Sequence, residues 1–260
     1  MVNRQLLLRA GLLLLVQLTA LAAVWPAGAL AEPGSGPRET VDRTFTTMRP
    51  DSPTGGTFSA SYHAAGDPQG NPPFLRRMVM HLPRGMRFDT SVPDRCTASD
   101  VQLEIMGPAA CPAGSRLGGG TVEGLVLTPF AHDIVLDHFR HPVHLLNNTN
   151  EEIILIESEG FTVVRGHLSP DGSTWDYTQP TCFPAPPVGG CLDDYVLQLK
   201  NSVATAPYTR ISGGRLRSYA TTPAKCPESH YWRTTVQFWW GDGSADSVVS
   251  RQPCRPGRSG

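Results

Sequence analysis

The stretch Tyr231-Trp232-Arg233-Thr234-Thr235-Val236-Gln237-Phe238-Trp239-Trp240 alternates without a break. Trp232, Thr234, Val236, Phe238 and Trp240 take one face; Tyr231, Arg233, Thr235, Gln237 and Trp239 take the other. A period of two, carried by aromatic and β-branched residues, predicts a half-buried strand. Gly241-Asp242-Gly243 follows, residues that accept the positive φ of a tight turn. A second strand returns through Ser247-Val248-Val249, and Cys254 comes back within reach of Cys226. The cassette from Thr221 to Cys254 therefore reads as a hairpin closed at its open end by a disulfide.

The rest of the chain repeats this pattern in weaker form. Glycine and proline make up 50 of the 260 residues, and turn clusters interrupt nearly every apolar run. Candidate strands are Arg43–Thr46, Thr57–Tyr62, Arg77–Leu82, Val122–Leu127, Ile134–Phe139, Val143–Leu146, Glu152–Ile156, Phe161–Leu168, Trp175–Tyr177, Tyr195–Lys200 and Arg215–Ala220. With the long strand of the cassette this makes about eleven or twelve strands. Ile153-Ile154-Leu155-Ile156 is apolar on both faces and predicts a central strand. The triple glycine Gly118-Gly119-Gly120 lacks the Gly-Lys-Ser/Thr of a phosphate loop and precedes a strand, which points to a bulged strand start. The one helix expected spans Thr97 to Met106, capped by Thr97 or Ser99 and ended by Gly107-Pro108. The expected architecture is all-β: an antiparallel, jelly-roll-like β-sandwich stapled by disulfides.

The N-terminus carries Arg4 and Arg9, a short apolar run from Leu12 to Val24, and Ala29-Leu30-Ala31, the pattern of a secretory signal peptide cut after Ala31. Residues 32–42 read as a flexible leader, and 43–260 as a single domain. No second long apolar run occurs, so no membrane span is expected after signal removal. Once the signal is gone, 20 basic residues face 23 acidic ones with no basic stripe, so nucleic acid is not an expected partner. All six cysteines lie in the exported part, which implies a disulfide framework rather than zinc ligation. Pairing of sequence neighbours gives Cys96–Cys111, Cys182–Cys191 and Cys226–Cys254.

Two motif strings carry a resemblance. One is Cys96, fourteen residues, then Cys111-Pro112-Ala113-Gly114-Ser115-Arg116-Leu117-Gly118-Gly119-Gly120-Thr121, preceded by Pro83-Arg84-Gly85-Met86-Arg87-Phe88. The other is Thr221-Thr222-Pro223, two residues, Cys226-Pro227, then Trp232, Phe238, Asp242-Gly243 and Cys254. Together they resemble a family of uncharacterised secreted proteins from high-GC Gram-positive (actinobacterial) bacteria. The resemblance implies export and carries no catalytic residue over.

Two local clusters are candidates for chemistry. His132, His138, His141 and His144, with Asp133 and Asp137 among them, offer imidazoles to zinc or copper. A spacing of three along one strand sends alternate histidines to opposite faces, however. Glu157 and Glu159, two apart on a strand, point to one face, as carboxylates do in sandwich glycosidases. Trp175, Tyr177 and Trp239 are aromatics that can line a sugar groove. No Gly-x-Ser-x-Gly or His-Glu-x-x-His occurs, and Asp242 to Asp246 reads as a hairpin turn rather than a calcium loop. The expectation is a secreted, monomeric, non-catalytic module, without metal or cofactor, that binds an extracellular or cell-envelope ligand or is structural there. The alternative is a secreted polysaccharide hydrolase using Glu157 and Glu159.

Overall fold

In a computed structural model, described for residues 31–128, 134–176 and 195–256, the strand pattern resolves into sixteen strands and one α-helix. In chain order they are β1 (Gly34–Ser35), β2 (Glu39–Phe45), β3 (Gly56–Tyr62), β4 (Leu75–His81), β5 (Arg87–Phe88), α1 (Asp100–Met106), β6 (Arg116–Leu127), β7 (Val135–Asn148), β8 (Glu151–Glu157), β9 (Phe161–Ser169), β10 (Gly172–Asp176), β11 (Tyr195–Thr205), β12 (Thr209–Ser212), β13 (Arg215–Ser218), β14 (Ala220–Thr221), β15 (Tyr231–Trp240) and β16 (Ala245–Pro253). Twelve of them form one antiparallel sheet in the order β1-β2-β3-β11-β6-β7-β8-β9-β10-β4-β15-β16. The protein is all-β, as the alternation and turn spacing predict. The signal segment, His132, Asp133, Tyr177 and the Cys182–Cys191 pair lie outside the described residues.

The two layers of the expected sandwich are two halves of this single sheet, which curls until its ends meet. Glu32 and Arg251 exchange backbone hydrogen bonds of 2.7 and 2.9 Å. Further along the seam, side chains stand in for the missing ladder. The Arg43 amide donates to Ser250 Oγ at 3.0 Å. Gln252 accepts from the Phe45 amide and donates to the Phe45 carbonyl at 3.0 Å. This is why Ser250 and Gln252, polar residues, are nearly fully buried: edge strands carry unpaired backbone groups that burial makes costly. Residues 32–42, expected as a flexible leader, therefore belong to the sheet as β1 and the start of β2.

The cassette builds as its sequence dictates. Trp232, Thr234, Val236, Phe238 and Trp240 are all buried, Gly243 takes φ +85° in the turn, and Cys226–Cys254 closes the open end. Across the core, Phe45 meets Trp232 edge-on at 5.9 Å and Tyr62 meets Phe238 and Trp240 at 5.8 Å. β15 pairs with β4 as well as β16, so it is central.

The two-faced run on β8 is explained by a second layer. Ile154 and Ile156 face the sheet's interior, whereas Ile153 and Leu155 pack outward against Leu103 of α1, Cys96 and Leu146. The helix is capped by Ser99, which accepts from the Gln102 amide while Gln102 reaches back to the Ser99 amide, a capping box. Cys96–Cys111 ties its two flanks together. The stapled excursion thus covers the outer face of β7, β8 and β9, where the apolar side chains it shields lie in mid-sheet.

β7 is longer than expected. Ile134–Phe139 and Val143–Leu146 join into one strand that runs through Pro142. β8 pairs with β7 only from Val143 onward, so Pro142 needs no amide on that side. The triple glycine lies inside β6, just after a bulge between Arg116 and Gly118. A Cβ on Gly120 would come within 1.7 Å of the Ser202 carbonyl oxygen of β11, so the close approach of the strands requires glycine.

Candidate functional site

Alternation on β2 sends Glu39, Val41, Arg43 and Phe45 to one side of the strand. Alternation on β8 sends Glu152, Ile154 and Ile156 toward the same interior. Arginine and glutamate thus occupy positions where strand periodicity calls for apolar side chains. Both line a cavity of about 120 Å³ between the two halves of the sheet. Most of the remaining wall is apolar, with Phe58 from β3, Met78 and Met80 from β4, Trp175 from β10 and Val203 from β11. Tyr219, which leads into β14, adds its hydroxyl to the polar part of the wall, where Ser173, Gln198, Asn201 and Thr205 also lie.

Arg43 and Glu152 feel each other's charge across this space, but no ion pair among the described residues joins them. Arg43 Nη1 donates to its neighbour's carbonyl, Thr44 O, at 3.0 Å. The guanidinium lies over the Phe45 ring, 4.8 Å from its centroid, and its buried Nε has no hydrogen-bond partner. Gly56 makes the room, since a Cβ there would sit 2.3 Å from Arg43 Nη1. Glu152 accepts a 2.8 Å hydrogen bond from the Tyr219 hydroxyl.

The energetics of these groups follow from where they sit. Burial pulls the Arg43 guanidinium down to about 10, with Glu152 partly offsetting the effect, and it stays cationic at neutral pH. Burial pushes the Glu152 carboxyl up, opposed by the Tyr219 hydroxyl and by Arg43. It also pushes the Tyr219 hydroxyl well above its ordinary value, with Glu152 adding to the rise. A charge in a low-dielectric interior is costly unless paired, so an arginine and a glutamate held apart in an apolar chamber mark a place built for something other than stability.

A second perturbed carboxyl lies elsewhere. Glu39, fully buried near the seam, is pushed up to about 7 by burial and by the neighbouring Asp246. Its Oε2 accepts from the Arg38 amide at 3.1 Å, and its Oε1 has no partner. Asp246 is itself held by Arg38 at 2.8 Å and by Trp240 Nε1 at 2.8 Å. On the outer face, a shallow polar hollow bordered by Asp42, Glu123, Arg140 and Lys200 is crossed by the Arg140–Glu123 and Lys200–Glu123 ion pairs at 3.4 and 3.9 Å.

The clusters singled out in the sequence do not meet at the cavity. His138, His141 and His144 lie on one continuous strand, β7. His138 is exposed, His141 stacks on Phe139 at 4.9 Å, and His144 contacts Glu157 through Nε2 at 3.0 Å. Among the described residues no three His, Cys, Asp or Glu side chains come together in an arrangement that could hold a metal ion. Glu157 ends β8 and Glu159 lies in the exposed bend that follows; neither lines the cavity or the outer hollow. Of the aromatics able to line a sugar groove, Trp175 is turned inward and lines the cavity instead. It covers Gly166 and donates from Nε1 to Ser173 Oγ at 3.1 Å.

Sequence reading missed Arg43, Glu152 and Tyr219 as a group. The available signal was a charge at an inward position: Arg43 between Val41 and Phe45, Glu152 in step with Ile154 and Ile156. No helix among the described residues is long and apolar enough to cross a membrane. No family model, no curated protein and no solved structure matches the chain.

Proposed function

We propose that the protein is a secreted, monomeric, non-catalytic binding module that takes a small, mostly apolar molecule into the interior of its sheet. One observation carries the reading: an apolar chamber between the sheet halves into which Arg43, Glu152 and Tyr219 project. Ligand sites are typically concave, largely apolar and provided with a few placed polar groups, and a cavity of this size suits one ring or one short chain. Methionines Met78, Met80 and Met86 in its wall can re-pack around different shapes. Export is supported by the two described disulfides, Cys96–Cys111 and Cys226–Cys254, and by the signal-like N-terminus; both agree with the resemblance to secreted proteins of high-GC Gram-positive bacteria. A hydrolase built on Glu157 and Glu159 is disfavoured because His144 holds Glu157 and Glu159 stands in the open. The test is native mass spectrometry of protein purified from its own culture supernatant. A low-mass adduct near one per chain, lost on organic extraction and absent from a cavity-filling Val203→Phe variant, is expected. Ligand-free protein that turns over polysaccharide, with turnover lost in Glu157→Gln, would overturn the reading.

A further inference from the structure

The cavity's polar groups specify more than an apolar ligand. Arg43 brings a forked set of donors to the wall, and only Nη1 has a partner among the contacts described, Thr44 O at 3.0 Å. Its Nε–H, buried in the same wall, has none. A guanidinium presents five N–H donors, and its Nε and Nη edge matches the two oxygens of one carboxylate. Glu152, on the strand opposite, is committed to the Tyr219 hydroxyl at 2.8 Å and stands off from Arg43. A gap therefore separates a cation with free donors from a carboxyl anchored on its far side.

Resting on the binding-module reading, we propose that the ligand is a small monocarboxylic acid, its carboxylate on Arg43 and between Arg43 and Glu152, its compact apolar body against Met78, Met80, Ile154 and Trp175. Size limits the body. An apolar cavity of about 150 Å³ takes one benzene, so about 120 Å³ admits an aromatic ring or a chain of roughly four to six carbons. Sign limits the head. An incoming carboxylate supplies Arg43 with the anion it lacks at contact distance, whereas an ammonium would meet the guanidinium's charge. Glu152, anchored by the Tyr219 hydroxyl at 2.8 Å, is the second group at the head; burial raises its carboxyl against the pull of Tyr219 and Arg43, and when it carries a proton it can donate to the carboxylate. The two groups then close on the head from opposite sides. Charged hydrogen bonds made away from water contribute enough to discriminate by about ten- to a hundredfold.

The experiment is a calorimetric and methyl-NMR titration of the mature protein with three probes of equal chain length: hexanoate, 1-hexanol and hexylamine. The expected result is hexanoate binding about ten- to a hundredfold tighter than hexanol, with hexylamine weakest. Arg43→Lys keeps a positive charge and loses the fork, so hexanoate should weaken at least about tenfold while hexanol is unchanged. Val203→Phe fills the cavity and should abolish both. Equal affinity for the three probes, or preference for the amine, overturns the acid assignment and leaves the binding-module reading in place. No binding by any probe, with Val203→Phe indistinguishable from the parent protein, overturns both. If the Arg43 variant does not fold, the probe series on the parent protein decides alone.

Discussion

Replacing Glu39 with glutamine should flatten part of the protein's pH–stability profile, and the sign of that effect is fixed by the structure. The Glu39 carboxyl is moved from 4.5 to about 7, first by burial and then by Asp246 on β16, against the Arg38 amide, the Arg38 charge and the charge of His63 at the end of β3. Between pH 4.5 and 7 the folded protein holds a proton that the unfolded chain has released. Stability falls as pH rises wherever the folded state binds more protons. This carboxyl therefore leaves stability intact below pH 4.5, lowers it progressively up to about 7, and lowers it no further above. At about 1.4 kcal/mol per pH unit of displacement, the full loss has a ceiling of about 3 kcal/mol. Glutamine is neutral throughout and nearly the same size. Denaturant unfolding of both proteins from pH 4.5 to 8.5 reads the effect as a difference, so every other titrating group common to both cancels. Glu39→Gln should match or fall slightly below the parent at pH 4.5 and exceed it by up to about 3 kcal/mol at pH 8. A difference that does not vary with pH, or a parent that is the more stable at pH 8, would show that Glu39 does not hold a proton in the folded protein over this range.

Other perturbations have equally definite outcomes. Phe238→Ala removes a fully buried ring stacked 5.9 Å from Trp240 and edge-on to Tyr62, and should cost about 3–5 kcal/mol in denaturant unfolding. Replacing Cys226 and Cys254 together by serine opens a loop with a sequence separation of 28; the chain-entropy model gives a loss of about 3–4 kcal/mol, read by the same assay. Gly56→Ala puts a methyl group into the space of Arg43 Nη1 and beside Thr44 O, so it should weaken ligand uptake and stability together, as titration and melting of the same sample would report.

The frame of this fold was legible wherever one face of a strand had a single job. β15 declared itself because its five inward residues are all apolar or β-branched and its turn needs glycine. β8 declared a central strand because both its faces are apolar, but nothing local says that the second face is covered by α1 rather than by another sheet. The closed seam was hidden for a similar reason. Ser250 and Gln252 look like solvent-facing residues until β2 is known to lie beside them and to need partners for its amides. Ile134–Phe139 and Val143–Leu146 read as two strands with Pro142 between them; a proline is costly only where an amide must donate, and which side of β7 is unpaired depends on where β8 begins. The cavity group was the least visible. Arg43, Glu152 and Tyr219 are distant in sequence, and arginine or glutamate in a strand is ordinary until three-dimensional closure turns its face inward. The histidine and glutamate clusters stood out because they are close in sequence, and local density is a poor guide to convergence in a sheet whose neighbouring strands come from far apart.

Ligand uptake by the interior chamber can be observed directly at the methyl groups that line it. The direct measurement is a methyl-NMR titration of the mature protein, labelled at methionine and isoleucine, with hexanoate and with benzene. Saturable shifts are expected at the Met78, Met80, Ile154 and Ile156 methyls, which line the cavity, and none at the exposed Ile105 and Ile211. Shifts confined to Ile105 or Ile211, or no saturable shift at any methyl, would contradict uptake by the chamber.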